Sequence, residues 1–140
     1  MVLGIGTDII EIDRIRQAVE KGGRRFLERI YTSDEISYCS ARRDPYPCYA
    51  ARFAAKEAVY KALGTGLAGC SWTEIEVFNV AGGMPQVRLK GRAAAQAGDL
   101  GVSDVLLSIS HDRGRALAFA LALERGLEYA RSDVPGNERD

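Results

Sequence analysis

The sequence predicts an α+β fold in which a small antiparallel sheet packs with a long central helix and several short helices. Segments of strand and helix character do not alternate strictly along the chain, which argues against a doubly wound parallel sheet. Two pairs of alternating segments are each joined by a glycine-containing turn, as in β-hairpins. The segment 47–63 is apolar on most of its circumference and has the length of a packed helix.

Composition favours one globular domain. The chain has 140 residues, 46% of them hydrophobic, which suits a single modest core over residues 1–125, followed by a polar tail over 126–140. Nineteen Lys and Arg residues balance nineteen Asp and Glu residues, so no overall field would attract nucleic acid or a membrane surface. Because the sequence shows neither a basic leader nor a long apolar run, we expect a cytoplasmic protein.

The cysteine and histidine counts restrict the possible chemistry. Cys39, Cys48 and Cys70 form an odd set without CxxC spacing, so we expect three reduced thiols with neither a metal role nor a redox role. His111 is the only histidine, which excludes zinc sites built from several imidazoles.

The N-terminal half is predicted to contain one strand followed by helices. Residues 2–12 are mostly β-branched or aliphatic, as in a buried strand. Residues 13–30 flank the pair Gly22 and Gly23, which predicts two short helices with a break. Thr32 and Glu35 have the spacing of a capping box that opens another helix. The long helix 47–63 would begin at its proline and end at Gly64.

The C-terminal half is predicted to contain two hairpins around one short helix. Strands at 72–79 and 86–89 would form the first hairpin, and residues 92–100 a short helix bounded by glycines. Strands at 102–111 and 115–124 would form the second hairpin. In the last segment large apolar residues alternate with alanine, which favours a strand, although the helix preference of alanine leaves a helix possible.

Asp8 is an unusual residue in an apolar strand, where an unpaired carboxylate is costly. With a period of two it shares a face with Gly4 and Gly6, which have no side chains to block a ligand. The residue therefore fits a metal ligand, and a cap or salt bridge at the end of the strand explains it equally well.

Glu57 needs a partner if the helix 47–63 is packed on several sides. On a helical wheel it lies beside Phe53 and Tyr60, with Lys61 one turn further along. The simplest explanation is a surface pair between Glu57 and Lys61, worth about 0.2–0.5 kcal/mol.

Two familiar patterns do not fit their usual chemistry. The segment 64–69 matches GxGxxG, but a helix precedes it and a strand follows, the reverse of a dinucleotide-binding fold. Ser110, His111 and Asp112 are consecutive on a strand, so their side chains alternate between faces and cannot form a hydrolase triad. For His111 a ligand contact and a structural hydrogen bond are equally good explanations.

Three segments taken together resemble one family. They are GIGTD at 4–8, RFAAKEAVYK at 52–61 and SISH at 108–111. Their order and spacing resemble those of the bacterial holo-acyl-carrier-protein synthases, the short trimeric type of 4′-phosphopantetheinyl transferase, over about residues 1–125. The resemblance implies an enzyme of fatty acid biosynthesis that transfers 4′-phosphopantetheine from coenzyme A to a serine of apo-acyl carrier protein, releasing adenosine 3′,5′-bisphosphate.

The resemblance also implies roles for individual residues. Asp8 and Glu57 would bind Mg²⁺, and with Lys61 they would form the catalytic group. Four residues would contact coenzyme A: Lys61, Arg52, Gly64 and His111. Of these, Arg52 and His111 would lie near the adenosine and its 3′-phosphate. The family members are trimers with sites at subunit boundaries, so a homotrimer is implied as well.

A local basic cluster lies between Asp13 and Arg29, where six basic side chains outnumber three acidic ones. From the residues alone, a solvated helical face is the simpler explanation. The resemblance implies instead a docking face for the acidic acyl carrier protein, with Arg14 and Arg25 at the matching positions.

Two other classes of function remain open. One is a binding module for coenzyme A or a nucleotide without catalysis, which predicts binding with no metal-dependent product. The other is a structural oligomer whose apolar strands pack between subunits, which predicts indifference to magnesium and coenzyme A.

Overall fold

Two antiparallel sheets and four helices make up the computed structural model, which describes residues 1–64 and 68–124. The elements are β1 (Val2–Glu11), α1 (Ile12–Ile30), α2 (Ser33–Ser40), α3 (Tyr46–Leu63), β2 (Ile75–Asn79), β3 (Pro85–Leu89), α4 (Gly91–Asp99), β4 (Val102–His111) and β5 (Arg115–Glu124). One sheet has the order β1-β5-β4, and β2 pairs with β3 in the other. The predicted α+β class is confirmed.

The helices begin and end close to the predicted residues. α1 contains the expected break, because Gly23 has φ of 57° and ψ of −142°. The capping box is present: Thr32 N donates to Glu35 Oε1 (2.8 Å), and Glu35 N donates to Thr32 Oγ1 (3.2 Å). α3 ends at Gly64, with φ of 58°. No helix in the described residues is both long enough and apolar enough to cross a membrane.

Two strand predictions change in detail. The first hairpin is shorter than expected, because Trp72–Glu74 forms a 3₁₀ turn and not part of a strand. The Glu74 carboxylate caps this turn by accepting a hydrogen bond from Ser71 N. β5 pairs with β1 along one edge and with β4 along the other, so the helical alternative for this segment is wrong. The residues 65–67 of the GxGxxG pattern and the predicted tail 126–140 lie outside the described residues.

The inner face of the three-stranded sheet carries unusually small side chains. The alanines of β5 face α3 and are fully buried, whereas Leu117 and Phe119 between them remain 44% and 42% exposed on the outer face. The buried alanines are Ala116, Ala118, Ala120 and Ala122. This thin inner layer lets α3 approach the sheet closely.

Gly4 and Gly6 allow the closest approach. A Cβ atom on Gly4 would lie 1.9 Å from the carbonyl oxygen of Ala62, and one on Gly6 would lie 1.9 Å from that of Ala58. We expected these glycines to leave space for a ligand, and that reason is wrong, because the backbone of α3 fills the space. Asp8 is the next residue on the same face of β1, and its side chain contacts Lys61 on the solvent-facing side of α3.

A buried ion pair attaches α3 to the other elements. Lys56 and Glu35 have no exposed side-chain surface, and Lys56 Nζ lies 2.8 Å from Glu35 Oε1. Lys56 also donates to the carbonyl oxygens of Trp72 (3.1 Å) and Ile75. Glu35 accepts from Val77 N at 2.9 Å, so the pair joins α2 and α3 to the start of β2.

We predict that Gly6→Ala lowers the free energy of unfolding by about 1–3 kcal/mol or more, because the added methyl group collides with backbone that cannot move independently. Urea unfolding at a fixed protein concentration measures the change. The matched control is Gly98→Ala in α4, where an added Cβ has no neighbour within 4 Å and should stabilise by up to about 1 kcal/mol. Equal effects of the two substitutions would contradict the close packing of β1 against α3.

Candidate functional site

Asp8, Glu57 and Lys61 come together where β1 meets α3. Lys61 Nζ lies 3.1 Å from Asp8 Oδ1 and donates to the carbonyl oxygen of Thr7 at 3.3 Å. The ion pair of Lys61 therefore crosses from the helix to the strand, whereas the simplest sequence explanation placed it within the helix. The Asp8 side chain is largely buried and that of Lys61 is half exposed, so the group is open to solvent on one side.

The environment of Glu57 reflects this arrangement. Burial raises the pKa of Glu57 above its ordinary value, the neighbouring charge of Asp8 raises it further, and Lys61 opposes both. Two carboxylates are thus close enough to repel each other, and the free energy of that repulsion falls when a cation binds between them.

The donor set limits which cation these residues could hold. Within residues 1–64 and 68–124, no group of three or more His, Cys, Asp or Glu side chains is placed to hold a metal ion. Two carboxylates suit Mg²⁺, which binds proteins through one or two carboxylates and keeps water and phosphate oxygens as its other ligands. They do not form the closed set of a structural zinc site.

Arg52 and His111 lie in a separate cavity of about 490 Å³ between α2, α3 and the end of β4. Its other polar lining residues are Tyr38, Arg42, Asp44, Cys48 and Asn79. Because two arginines outnumber the single carboxylate, we name it the cationic cavity. Asp8, Glu57 and Lys61 are not part of this lining. The sequence-predicted residues therefore form two groups on α3, about 7.5 Å apart along the helix axis from Arg52 to Glu57.

Arg52 is held in place from several directions and has one unused donor. Its Nη2 atom donates to Asn79 Oδ1 at 2.8 Å, and its Nη1 atom donates to Cys48 Sγ at 3.5 Å. The guanidinium lies over the ring of Tyr38, 4.3 Å from the centroid. Its Nε atom is buried and has no hydrogen-bond partner among the described residues. A buried cation with an unused N–H donor suits an anionic ligand.

His111 and Gly64 occupy simpler positions. His111 is the last residue of β4 and is exposed at the edge of the cavity. Gly64 caps α3, where its N–H donates to the carbonyl oxygen of Lys61. A left-handed φ at this position favours glycine over other residues.

The basic residues of α1 divide into paired and unpaired groups. Asp13 pairs with Arg16 at 2.9 Å, and Glu28 pairs with Arg24 at 3.1 Å. The remaining basic side chains of α1 form no ion pair with another described residue, and they are Arg14, Lys21, Arg25 and Arg29. All four are exposed.

Part of this unpaired group surrounds an apolar concavity of about 430 Å³. Lys21, Arg25 and Arg29 form its rim, and Phe26 lies in its lining at the break of α1. Arg14 is exposed on the first turns of α1 and does not line the concavity.

Sequence reasoning missed part of the cavity and the anchor of α3. Arg42, Tyr38 and Asn79 were not identified, because Asn79 is 27 positions from Arg52 and no local pattern connects them. The capping box indicated Glu35 as a helix start, but nothing in it indicated Lys56 as a buried partner. The only sequence feature that could have indicated a buried ion pair was the presence of charged residues on a helix predicted to be packed on several sides.

Comparison with known proteins provides independent information. A family model of the 4′-phosphopantetheinyl transferase superfamily matches residues 4–120. A holo-[acyl-carrier-protein] synthase from Desulforudis audaxviator is 54% identical over 123 residues, covering 88% of this chain and 94% of the relative.

Solved structures agree with the sequence comparisons. The crystal structure of the holo-[acyl-carrier-protein] synthase from Neisseria meningitidis matches with a TM-score of 0.82 and 37% identity, covering 89% of this chain and all of that one. The enzyme from Bacillus anthracis, solved in complex with CoA (3′,5′-ADP), matches with a TM-score of 0.71 and 36% identity, covering 87% of this chain and 96% of that one.

Proposed function

We propose a function from one premise: this chain belongs to the 4′-phosphopantetheinyl transferase superfamily, among its holo-[acyl-carrier-protein] synthases. The chain transfers the 4′-phosphopantetheine group of coenzyme A to a serine of apo-acyl carrier protein, which activates the carrier for fatty acid biosynthesis in the cytoplasm. The observation that carries this proposal is the convergence of Asp8, Glu57 and Lys61 at the contact between β1 and α3. Membership of this family argues against a non-catalytic binding module and against a purely structural oligomer.

Asp8 and Glu57 are the residues that would hold Mg²⁺. The pKa of Glu57 is raised in part by the charge of Asp8, and the described residues offer no third acidic ligand. Two carboxylates fit a cation that keeps coordination positions open for water and phosphate oxygens. Bound there, magnesium would supply positive charge to the phosphate oxygens of the substrate.

Lys61 and Glu57 would act on the reacting groups. The half-exposed Lys61 ammonium can bind the pyrophosphate of coenzyme A and offset charge that develops on its oxygens. The serine oxygen attacks the phosphorus that bears the pantetheine arm, the serine O–P bond forms, and the P–O bond to adenosine 3′,5′-bisphosphate breaks. Glu57 accepts the serine proton, directly or through a water molecule.

The cationic cavity would bind the adenosine end of coenzyme A. Arg52 has an unused buried Nε–H, and Arg42 and His111 line the same space. Phosphate is the anion best matched to a guanidinium fork, so the 3′-phosphate is the group we assign to Arg52. Gly64 would contribute only backbone, after the last turn of α3.

The direct test is the mass of the carrier. Incubation with coenzyme A, Mg²⁺ and apo-acyl carrier protein should increase the carrier mass by one phosphopantetheine group and release adenosine 3′,5′-bisphosphate. Tight coenzyme A binding without this mass increase would support the binding module instead.

We predict that the reaction requires Asp8, Glu57 and a divalent cation. Asp8→Asn, Glu57→Gln and excess chelator should each lower the rate at least about 100-fold, because a bound metal is worth several kcal/mol in the transition state. Mg²⁺ should raise the melting temperature of the native protein and not of either variant. Glu11→Gln, at the exposed end of β1, is the control and should behave as the native protein.

We predict that Lys61→Met lowers kcat more than it raises KM for coenzyme A, because its charge matters most as the phosphoryl transition state forms. Lys61→Arg should recover part of kcat. Lys90→Met removes a comparable half-exposed lysine that pairs with Glu76 at 3.2 Å, and it should leave both constants unchanged. A rise in KM alone would make Lys61 a simple binding contact. Steady-state kinetics distinguish these cases.

The outer face of the three-stranded sheet supports a homotrimer. Ile5, Ile9, Leu117 and Phe119 are all more than 40% exposed on β1 and β5. Their register places them together, with Ile9 opposite Leu117. An exposed apolar face of this kind is typical of a subunit interface.

We predict that Phe119→Asp dissociates the trimer, because a buried unpaired carboxylate in the interface is costly. Sedimentation should give three times the chain mass for the native protein and a smaller species for the variant. Leu100→Asp is the matched control, since Leu100 is 48% exposed at the C-terminal cap of α4 and belongs to neither β1 nor β5. Dissociation by both variants, or by neither, would place the interface elsewhere.

The unpaired basic residues of α1 support a docking face for acyl carrier protein. Arg14 and Arg25 are exposed and have no acidic partner among the described residues, and Arg25 borders the concavity that contains Phe26. A cationic rim around an apolar surface fits an acidic helical partner with apolar contact residues.

We predict that Arg14→Glu and Arg25→Glu each weaken carrier binding about tenfold at low salt, mainly through slower association. Added salt should reduce the native affinity in the same way, and coenzyme A affinity should stay within about twofold. Arg92→Glu makes the same charge change on α4 and should have little effect. Carrier affinity that is insensitive to salt and to both reversals would exclude this face. Surface plasmon resonance measures both rates.

A further inference from the structure

The thiol of Cys48 lies in the wall of the cationic cavity, beside charged groups and near a second cysteine. Arg52 Nη1 donates to Cys48 Sγ at 3.5 Å, and Arg42 lines the same cavity. Cys48 packs against the buried cluster that contains Cys39, at the end of α2. Cys48 is half-buried and Cys39 has no exposed surface, so a small reagent in the cavity reaches Cys48 first.

We propose that Cys48 and Cys39 form a modification site for hydroperoxides, in which Cys48 is the nucleophile and Cys39 resolves the product to a disulfide. This inference goes beyond the proposed transferase activity and does not depend on it. Sequence analysis assigned no redox role to these cysteines because eight residues separate them and no CxxC spacing is present. The signal is spatial, since the N-terminal part of α3 packs against the end of α2.

The two guanidinium groups are fixed beside the sulfur. Arg52 lies 4.3 Å and Arg42 lies 4.5 Å from the centroid of the Tyr38 ring, so one aromatic side chain holds both cations. Fixed cations beside a thiol favour the thiolate, which is the reactive form.

The surroundings support this assignment through the acidity of the two thiols. The neighbouring Cys39 thiol is the main factor that lowers the pKa of Cys48 to about 6, and Arg52 and Arg42 add to the effect against the opposing effect of burial. The neighbouring Cys48 thiol and burial raise the pKa of Cys39. Cys48, the more exposed thiol and the one that contacts a guanidinium group, is therefore the nucleophile, and the buried Cys39 is the resolving cysteine.

The chemistry balances with a hydroperoxide as the oxidant. The Cys48 thiolate attacks the hydroxyl oxygen of the peroxide and the O–O bond breaks. The leaving oxygen takes a proton from solvent to become an alcohol, or water when the oxidant is hydrogen peroxide. Cys48 becomes a sulfenic acid. The Cys39 sulfur then attacks the Cys48 sulfur, the S–O bond breaks, and the oxygen leaves as water with the Cys39 proton. Two thiols are oxidised by two electrons, and one peroxide is reduced.

Cys70 provides an internal control within the same chain. It is half-buried near α4, where Cys70 Sγ lies 3.2 Å from Gln96 Oε1. Burial raises its pKa, and the charge of Glu74 raises it further. A half-buried thiol that stays protonated should react more slowly than Cys48. The difference should be several-fold, because the gain in thiolate fraction is partly offset by the lower nucleophilicity of a thiolate of low pKa.

The experiment is a peptide map of the reduced, full-length protein after brief exposure to hydrogen peroxide and blocking of free thiols with N-ethylmaleimide. Trypsin cleaves after Arg29, Arg42, Arg43 and Arg52, so Cys39 and Cys48 fall in different peptides, 30–42 and 44–52. We expect these two peptides joined by a disulfide, with Cys70 still blocked by the maleimide. In Cys39→Ala, dimedone should trap a sulfenic acid on Cys48. In Cys48→Ser, Cys39 should stay reduced.

A second measurement keeps the test independent of the cysteine variants. Alkylation of the native protein by iodoacetamide at pH 7 should label Cys48 several-fold faster than Cys70, and Arg42→Gln should slow the labelling of Cys48 alone. The proposal is overturned if Cys70 oxidises or alkylates first, if Cys48 forms its disulfide between two chains, or if no peptide 30–42 is joined to 44–52. It stands if the joined pair appears in the native protein, whether or not the variants fold.

Discussion

The contact between the backbones of α3 and β1 determines where the reactive groups lie. At Gly4 and Gly6 the strand has no side chains, and the carbonyl oxygens of Ala62 and Ala58 occupy the space that a Cβ would need. Side chains normally separate a helix from the sheet on which it packs, whereas here the backbones of α3 and β1 are in close contact. Asp8, the next residue on this face, therefore comes within hydrogen-bond distance of a lysine of α3.

The opposite side of α3 is fixed by charge. Lys56 would be costly to bury alone, and Glu35 together with two backbone carbonyls compensates for its lost hydration. A buried pair of this kind adds little net stability compared with apolar residues, but it tolerates few orientations of the helix. Glu57 follows Lys56 directly, so the ion pair on one side of α3 and the glycine contacts on the other jointly orient the candidate metal ligand.

Short-range sequence patterns predicted much of the fold, but they could not predict contacts between residues that are far apart in the sequence. The capping box at Thr32, the break at Gly23 and the end of α3 each depend on a few neighbouring residues, and all three are present. Periodicity predicted β5 as a strand but could not decide which face packs on α3, because alanine and leucine are both apolar. The contact of Arg52 with Asn79 joins elements 27 positions apart and has no sequence pattern.

The choice of alanine for the inner face connects stability with assembly. Alanine buries little apolar surface, so the contact between α3 and the sheet stabilises the chain less than a layer of larger side chains would. The large side chains lie on the outer face, where burial against other subunits would contribute about 1.5–3 kcal/mol for each isoleucine or phenylalanine. Ile9 is 58% exposed on that face and is adjacent to Asp8 on β1. Subunits that covered Ile9 would therefore also hold the strand that carries Asp8, so the assembly that stabilises the sheet would keep the carboxylate in place beside α3.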